Sequence, residues 1–363
     1  MTGKAKKYNN IKLAGGIAKG IASFILIAVF VVSGLSRSLY SFCASLSGNE
    51  YIIFIFFVFA AGIASSVIFF PADYYLDYYL EHKYSLSNQT FFKWIWEDLK
   101  ESLVGSAISI PILLLFFLAL NKFGSLWWLP FSIILFIVSV LLAKIAPVVI
   151  FPLFYKITAY NNDELKEKIM KLSEGAGMKV ENIYLFNMSK NTKKANAAFT
   201  GLGSTKRILL GDTLIENFTP DEIETIIAHE LGHYKKKHII KNIILGVFFS
   251  FISFYVIASL YEMSLLWIGF SLRTEIAALP LLALWGMLIG ALLAPVSSYI
   301  SRKFEYEADA YAVETAGKKE AFISALNKLT DQNLADRDPH PFVEWYFYSH
   351  PSVGNRERNI ISL

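Results

Sequence analysis

Long apolar runs alternate with polar stretches along the chain, and the runs set its class. Six stretches approach or reach spanning length, roughly residues 17–35, 51–71, 103–121, 127–150, 243–261 and 276–298. A helix needs about 20 mostly apolar residues to cross a bilayer. Pro111, Pro130 and Pro147 lie in or beside these runs, which membrane helices tolerate. The first run follows Lys4, Lys6, Lys7, Lys12 and Lys19. That resembles the charged start of a signal peptide, but no small-residue cleavage site follows, so a retained first helix is expected.

The polar stretches divide the chain further. Residues 72–102 carry Asp73, Asp77, Glu81, Lys83, Glu97 and Asp98 among Tyr and Trp residues. They read as an amphipathic interfacial helix broken at Ser85–Asn88, with Trp94 and Trp96 in an aromatic belt. Residues 152–242 are the longest polar segment. Asp163–Glu174 has a helical pattern ended by Gly175 and Gly177, and Ile183–Phe186, Ala195–Phe199 and Arg207–Leu210 read as short strands. After 299 the chain is polar again, helical to Gly317 and loop-like around Pro339, Pro341 and Pro351.

The expected fold is an α-helical polytopic membrane protein with a small α+β zinc-metallopeptidase domain. Residues 1–150 hold four membrane helices and the amphipathic connector, 151–242 the metallopeptidase segment, 243–298 two further membrane helices, and 299–363 a polar tail.

Composition agrees with the lipid bilayer as the chain's solvent. Hydrophobic residues make up 55% of the 363, against about 45–50% in soluble chains. A net charge of +4 gives no global attraction to nucleic acid. The basic residues are clustered, however, at the N-terminus, in 152–242 (Lys190, Lys193, Lys194, Lys206, Arg207, Lys235, Lys236, Lys237) and at Arg302 and Lys303. The opposite loops offer only Arg37, Lys122 and Arg273. Both termini and the polar segment are therefore expected on the cytoplasmic side. The single cysteine, Cys43, excludes an intramolecular disulfide or a cysteine-based zinc site and reads as a small apolar residue.

The chemistry is concentrated in His229-Glu230-Leu231-Gly232-His233, an H-E-x-x-H pattern. On a helix, residues four apart share a face, so both imidazoles can reach one ion. Glu230 is turned partly toward the same place, where it can take a proton from water. Thr219-Pro220-Asp221-Glu222 supplies the helix start, a capping box with proline at the first helical position. With so few histidines, chance yields on the order of 0.01 such matches in a chain of this length.

Catalytic zinc usually takes three protein ligands. Glu305, Glu307 and Asp309 follow the last apolar run. Glu305 and Asp309 are four apart and share a helical face, while Glu307 points away by about 160–200°. Glu305 is assigned as the third ligand and Asp309 as a partner orienting His229 or His233. An exposed acidic helix face is the plain alternative.

The chain also resembles the zinc-dependent type I CAAX prenyl proteases and their prokaryotic relatives. The resemblance is carried by Leu80-Glu81-His82-Lys83-Tyr84-Ser85-Leu86-Ser87-Asn88-Gln89-Thr90, Asn196-Ala197, Arg207-Ile208-Leu209-Leu210-Gly211-Asp212-Thr213-Leu214 and the H-E-x-x-H. It continues through Ser301-Arg302-Lys303-Phe304-Glu305-Tyr306-Glu307-Ala308-Asp309-Ala310, Ser349-His350-Pro351 and Arg356. It runs from about residue 70 to the end, with residues 1–69 matching poorly.

The resemblance implies one Zn2+ per chain, held by His229, His233 and Glu305. It implies that His350 steadies the oxyanion, that Arg356 contacts this part of the site, and that Asn196-Ala197 belongs to an edge strand pairing with extended substrate. It implies a peptide or protein substrate with a prenylated C-terminus. The eukaryotic enzymes have seven spans against six here, and Ile361-Ser362-Leu363 is no ER-retention signal. Both favour a member from a prokaryotic cell membrane, with its active site facing the cytoplasm. The rival readings are a broad quality-control protease of membrane proteins and a metal-binding transporter or binding protein. Against the transporter stand the intact Glu230 and the lack of a buried charge pair in the spans, where Lys144 is isolated.

Overall fold

The computed structural model describes residues 2–160, 163–177, 183–200 and 207–363. Lys206, one of the basic residues named above, lies outside them. The chain opens with helix α1 (Thr2–Val32), the short α2 (Leu35–Leu46) and α3 (Glu50–Asp73). It continues through a π-helical stretch, Tyr74–Tyr79, into α4 (Leu80–Lys83), then α5 (Phe91–Phe123) and α6 (Trp128–Ile145). After α7 (Phe151–Phe154) comes the polar domain, with β1 (Ile157–Ala159), α8 (Asp163–Gly175), β2 (Ile183–Phe186), β3 (Ala197–Thr200), β4 (Arg207–Gly211), α9 (Asp212–Asn217) and α10 (Pro220–Lys235). Two long helices follow, α11 (His238–Ile268) and α12 (Pro280–Ala316), then α13 (Lys319–Gln332), α14 (Pro341–Phe347) and α15 (Val353–Ser362).

Among the described residues, six helical stretches are long and apolar enough to cross a membrane, and they contain α1, α3, α5, α6, α11 and α12. In that order each packs on the next, and α12 returns to α1. Only 6–28% of each apolar window is buried, so the side chains mostly face their surroundings rather than one another. Their ends are set by capping. Asn49 accepts from the Tyr51 and Ile52 amides at the start of α3, and Thr90 from the Lys93 amide at the start of α5. Gly269 and Gly317 close α11 and α12 in the left-handed region, at φ 75° and 64°.

Residues 72–102 are not a separate interfacial helix. The helix starting at Glu50 runs unbroken to Lys83. Its acidic residues sit four apart and face the lysines of α1: Asp73 pairs with Lys19, Asp77 with Lys12 at 2.8 Å, and Glu81 with Lys12 at 3.1 Å. An acidic stripe that reads as an interface in isolation is here neutralised by a neighbouring helix.

The two ends of the helical ring differ. At one end Phe54, Phe117, Trp127 and Tyr261 build an apolar core that also buries Cys43. At the other, Tyr8, Leu80, Tyr84, Leu86 and Leu334 pack together, and Lys194 of the polar domain pairs with Glu81 at 3.0 Å. The start of α1, the polar domain and the tail therefore share one end.

Among the described residues the polar domain has a four-stranded sheet in the order β1-β2-β4-β3. Strands β2 and β4 are parallel, and the outer strands run antiparallel to their neighbours. Among the described residues β3 lies at an edge, with Ala197 as its first residue and Asn196 just before it. Strand β1 has no counterpart in the sequence pattern. Ile208 and Leu210 of β4 pack against Ile223, Ile226, Ile227 and Leu231 of α10.

Candidate metal centre

Helix α10 starts as its sequence dictates. The Thr219 hydroxyl accepts from the Glu222 amide, the Glu222 carboxylate accepts from the Thr219 amide, and Pro220 takes the first helical position. The apolar face of α10 is buried on the sheet, and its other side meets α12 across Gly232. A Cβ added at Gly232 would lie 2.9 Å from the Ala308 Cα and 3.0 Å from its carbonyl oxygen. No side chain fits there, so glycine inside the motif lets the two backbones approach. That approach brings an acid from a membrane helix onto the two histidines.

His229 Nε2 and His233 Nε2 lie 3.2 Å apart. Glu305 Oε2 is 3.4 Å from the first and Oε1 is 3.2 Å from the second. Ligands about 2.0–2.1 Å from a tetrahedral ion sit about 3.3 Å from one another, so the two imidazole nitrogens already have that spacing and Glu305 presents one carboxylate oxygen to each. The Glu305 side chain is 5% exposed. Its Oε2 has no hydrogen bond of good geometry among the described residues, although His350 Nδ1 lies 3.0 Å away. A buried carboxylate oxygen with such poor partners is costly unless a cation completes it. The donor set fits a metal, and among the described residues it is the one group of three or more His, Cys, Asp or Glu able to hold one.

The surrounding residues fix these donors. Asp309 Oδ1 is 2.8 Å from His229 Nδ1, so that nitrogen donates and Nε2 presents its lone pair. Burial disfavours a charged His229, but hydrogen bonds to Asp309 and Glu305 outweigh it and bring the ring's pKa up to about 9. His229 would have to release its Nε2 proton to hold a metal. Arg356 grips Asp309 through Nε at 2.9 Å and Nη2 at 2.5 Å. Burial opposes the Arg356 charge, and Asp309, Glu305 and Glu230 together hold its pKa above the ordinary arginine value.

His229, Glu230, His233, Glu305, Asp309, His350 and Arg356 thus come together from α10, α12, α15 and the loop before α15. Besides Asp309, the Arg356 guanidinium approaches His229 Nδ1 at 3.3 Å and Glu305 Oε2 at 3.8 Å. Asn196 immediately precedes β3, its carbonyl oxygen accepting from the Gly211 amide at 2.9 Å, and Ala197 opens the strand in register with Leu210. Strand β3 packs against α10. His238, whose Nδ1 is 2.9 Å from His233 Nδ1, carries no motif or spacing that marks it in the sequence.

A ring of membrane helices carrying an HExxH helix, closed by a carboxylate from one of those helices, defines a membrane-embedded metallopeptidase. The chain belongs to peptidase family M48, whose sequence model matches residues 159–362. A second model, described as the CAAX prenyl protease N-terminal region with five membrane helices, matches residues 2–156. The chain is 31% identical over 367 residues to the uncharacterized metalloprotease YhfN of Bacillus subtilis, covering 97% of this chain and 83% of that protein. It is 35% identical over 312 residues to CAAX prenyl protease 1 of Saccharomyces cerevisiae, covering 80% and 68% respectively. Its fold matches the crystal structure of S. mikatae Ste24p with a TM-score of 0.89 at 29% identity, over 98% of this chain and 88% of that one.

The protein is an integral membrane zinc metalloprotease. The likeness also extends further than its motifs suggest, because the N-terminal match begins at residue 2. Within the matched 2–156, four helices are long enough to cross a membrane, and α2 is a 12-residue helix between two of them.

Proposed function

We propose that the protein is a cytoplasm-facing endopeptidase of the CAAX-processing type in a prokaryotic cell membrane, holding one zinc per chain on His229, His233 and Glu305. The observation that carries the reading is the convergence of those three side chains around one point, two of them on a helix that packs against the edge strand β3. When bound, the ion would polarise the scissile carbonyl and acidify the attacking water. Glu230 takes the proton from that water on its carboxylate and later gives it to the leaving amine. His350, 66% exposed at the side chain, can swing its ring N–H toward the oxyanion. Asp309 holds the His229 ring, and Arg356 holds Asp309. An extended substrate pairs through its backbone with β3 at Ala197, next to Asn196, a mode that reads length and direction rather than side chains. Two relations support a prenylated C-terminus as substrate: the resemblance to the CAAX prenyl proteases and the similarity to CAAX prenyl protease 1.

The test is cleavage of a farnesylated C-terminal peptide beside its unprenylated twin, by the wild type and Glu230→Gln. The farnesylated peptide should be cut faster. Glu230→Gln should keep its zinc yet lose about 10²–10⁴ in kcat. Equal cleavage of both peptides would reject the prenyl preference and favour a broad quality-control protease. Near-wild-type turnover by zinc-loaded Glu230→Gln would reject the base assignment.

A further inference from the structure

Glu307 faces away from Glu305 on α12, yet it reaches the metal centre from the other side through His238. His238 is the first residue of α11, directly after Lys237, whose left-handed backbone (φ 58°) turns the chain out of α10. Its side chain is 2% exposed. Its ring lies flat on Phe304, centroids 4.3 Å apart and planes 8° from parallel. His238 Nε2 is 3.0 Å from Glu307 Oε2, and Nδ1 is 2.9 Å from Nδ1 of His233. Lys241 approaches the same Glu307 oxygen at 3.4 Å.

These contacts fix the protons one after another. An ionised carboxylate only accepts, so His238 carries its hydrogen on Nε2. The neutral ring then has a lone pair at Nδ1, which accepts from Nδ1–H of His233. That leaves the lone pair of His233 on Nε2, the atom facing His229 Nε2 and Glu305 Oε1. We propose that Glu307 and His238 form a two-step hydrogen-bond relay that locks His233 into the tautomer able to bind the metal. Both are positioning residues, and the inference rests on the metal-site reading above. The pocket is symmetric in logic: Asp309 acts on His229 directly, and Glu307 acts on His233 through an intervening imidazole.

The test compares zinc affinity, by competition with a chelator, in the full-length wild type, His238→Phe, His238→Gln and Glu307→Ala. Phenylalanine keeps a ring to stack on Phe304 but offers His233 no acceptor. Glutamine can accept from His233 through its carbonyl and donate to Glu307 through its amide. His238→Phe should lose about 10–100-fold in affinity, while His238→Gln stays within about fivefold of wild type. Glu307→Ala, which leaves the stacked rings alone, should fall between them and serves if His238→Phe does not fold. His238→Phe or Glu307→Ala at wild-type affinity would overturn the relay. So would equal losses in the Phe and Gln variants, which would mark His238 as packing alone. A wild type that takes up no zinc would overturn the metal-site reading and the relay with it, an outcome distinct from the others.

Discussion

Glu222 ties the start of the metal helix to the tail. Its carboxylate accepts from the Thr219 amide at 2.8 Å, from the Lys328 ammonium at 2.7 Å and from the Ser324 hydroxyl at 2.7 Å. Burial alone would raise its pKa, but these donors outweigh burial and hold it below the usual carboxylate value. A group whose folded pKa is depressed adds stability above its unfolded pKa, about 4.3, and loses it as pH falls through the folded value. Glu222→Gln should therefore cost about 1–2 kcal/mol at pH 7, allowing for the half-exposed lysine. The cost should shrink as pH drops below about 4. Melting temperatures of both proteins across that range decide it, and a gap that does not change with pH would reject the ionic account. The reactive residues around this helix were legible in the chain, because H-E-x-x-H and an acid pair four apart are spacing rules of a helix. His238 was not. It follows the motif at no helical interval, and its position depends on the turn at Lys237. Glu307 faces away from Glu305, as the helical wheel says, but the wheel of one helix cannot show that the start of α11 is waiting there.

Helix α12 works as a ruler for the tail. Ser298, Arg302, Glu305 and Asp309 fall on one face of it. The Ser298 hydroxyl approaches the Tyr346 carbonyl at 3.4 Å, Arg302 donates to the Tyr348 carbonyl at 2.6 Å, Glu305 meets His350, and Asp309 meets Arg356. Tyr346 lies in the last turn of α14, and Tyr348 and His350 follow in the loop after it, so successive tail residues meet successive turns of α12 from Ser298 to Glu305. The upper anchor depends on Pro295. Proline has no amide hydrogen, which leaves the Ala291 carbonyl without its helical donor. The Tyr346 hydroxyl donates to that carbonyl at 2.8 Å. Tyr346→Phe should cost about 0.5–1.5 kcal/mol and lower kcat by loosening His350. Pro295→Ala restores the missing amide, so Tyr346→Phe should cost far less in that background. A double-mutant cycle on melting temperature and kcat measures this, and strictly additive effects would reject the pairing. At this scale the strands β2, β3 and β4 were readable from short apolar runs between turns, whereas β1 was not, because three residues carry no alternation. The stripe Asp73, Asp77, Glu81 was visible, but its lysine partners lie more than fifty residues away in sequence.

Apolar length alone made the count of crossing helices legible, since the bilayer imposes it. Ring order was not legible, because near-uniform apolarity does not say which face meets lipid and which meets a neighbour. Sidedness joins both kinds of evidence. The start of α1, the sheet domain and the tail gather at one end of the ring, where the Asn9 amide donates to the Leu334 carbonyl at 2.6 Å. Most of the clustered lysines belong to that end. At the other end basic side chains are few, and two of them are internally engaged: Arg37 donates to the Gly269 carbonyl at 2.7 Å, and Arg273 pairs with Glu262 at 2.8 Å. Cytoplasmic loops carry the excess of Lys and Arg, and this charge distribution supports the proposal that the metal centre faces the cytoplasm. Cys43 is 1% exposed in the far core, so it gives little background to a membrane-impermeant maleimide. In intact cells a cysteine at Gly48 should be labelled, while cysteines at Lys171 and Leu363 should react only after permeabilisation. Labelling of 171 without permeabilisation would invert the protein and place the metal centre outside. Labelling of 171 and 363 from opposite sides would break the shared end itself, because an odd number of crossings would then separate the sheet domain from the tail that carries His350 and Arg356 to it.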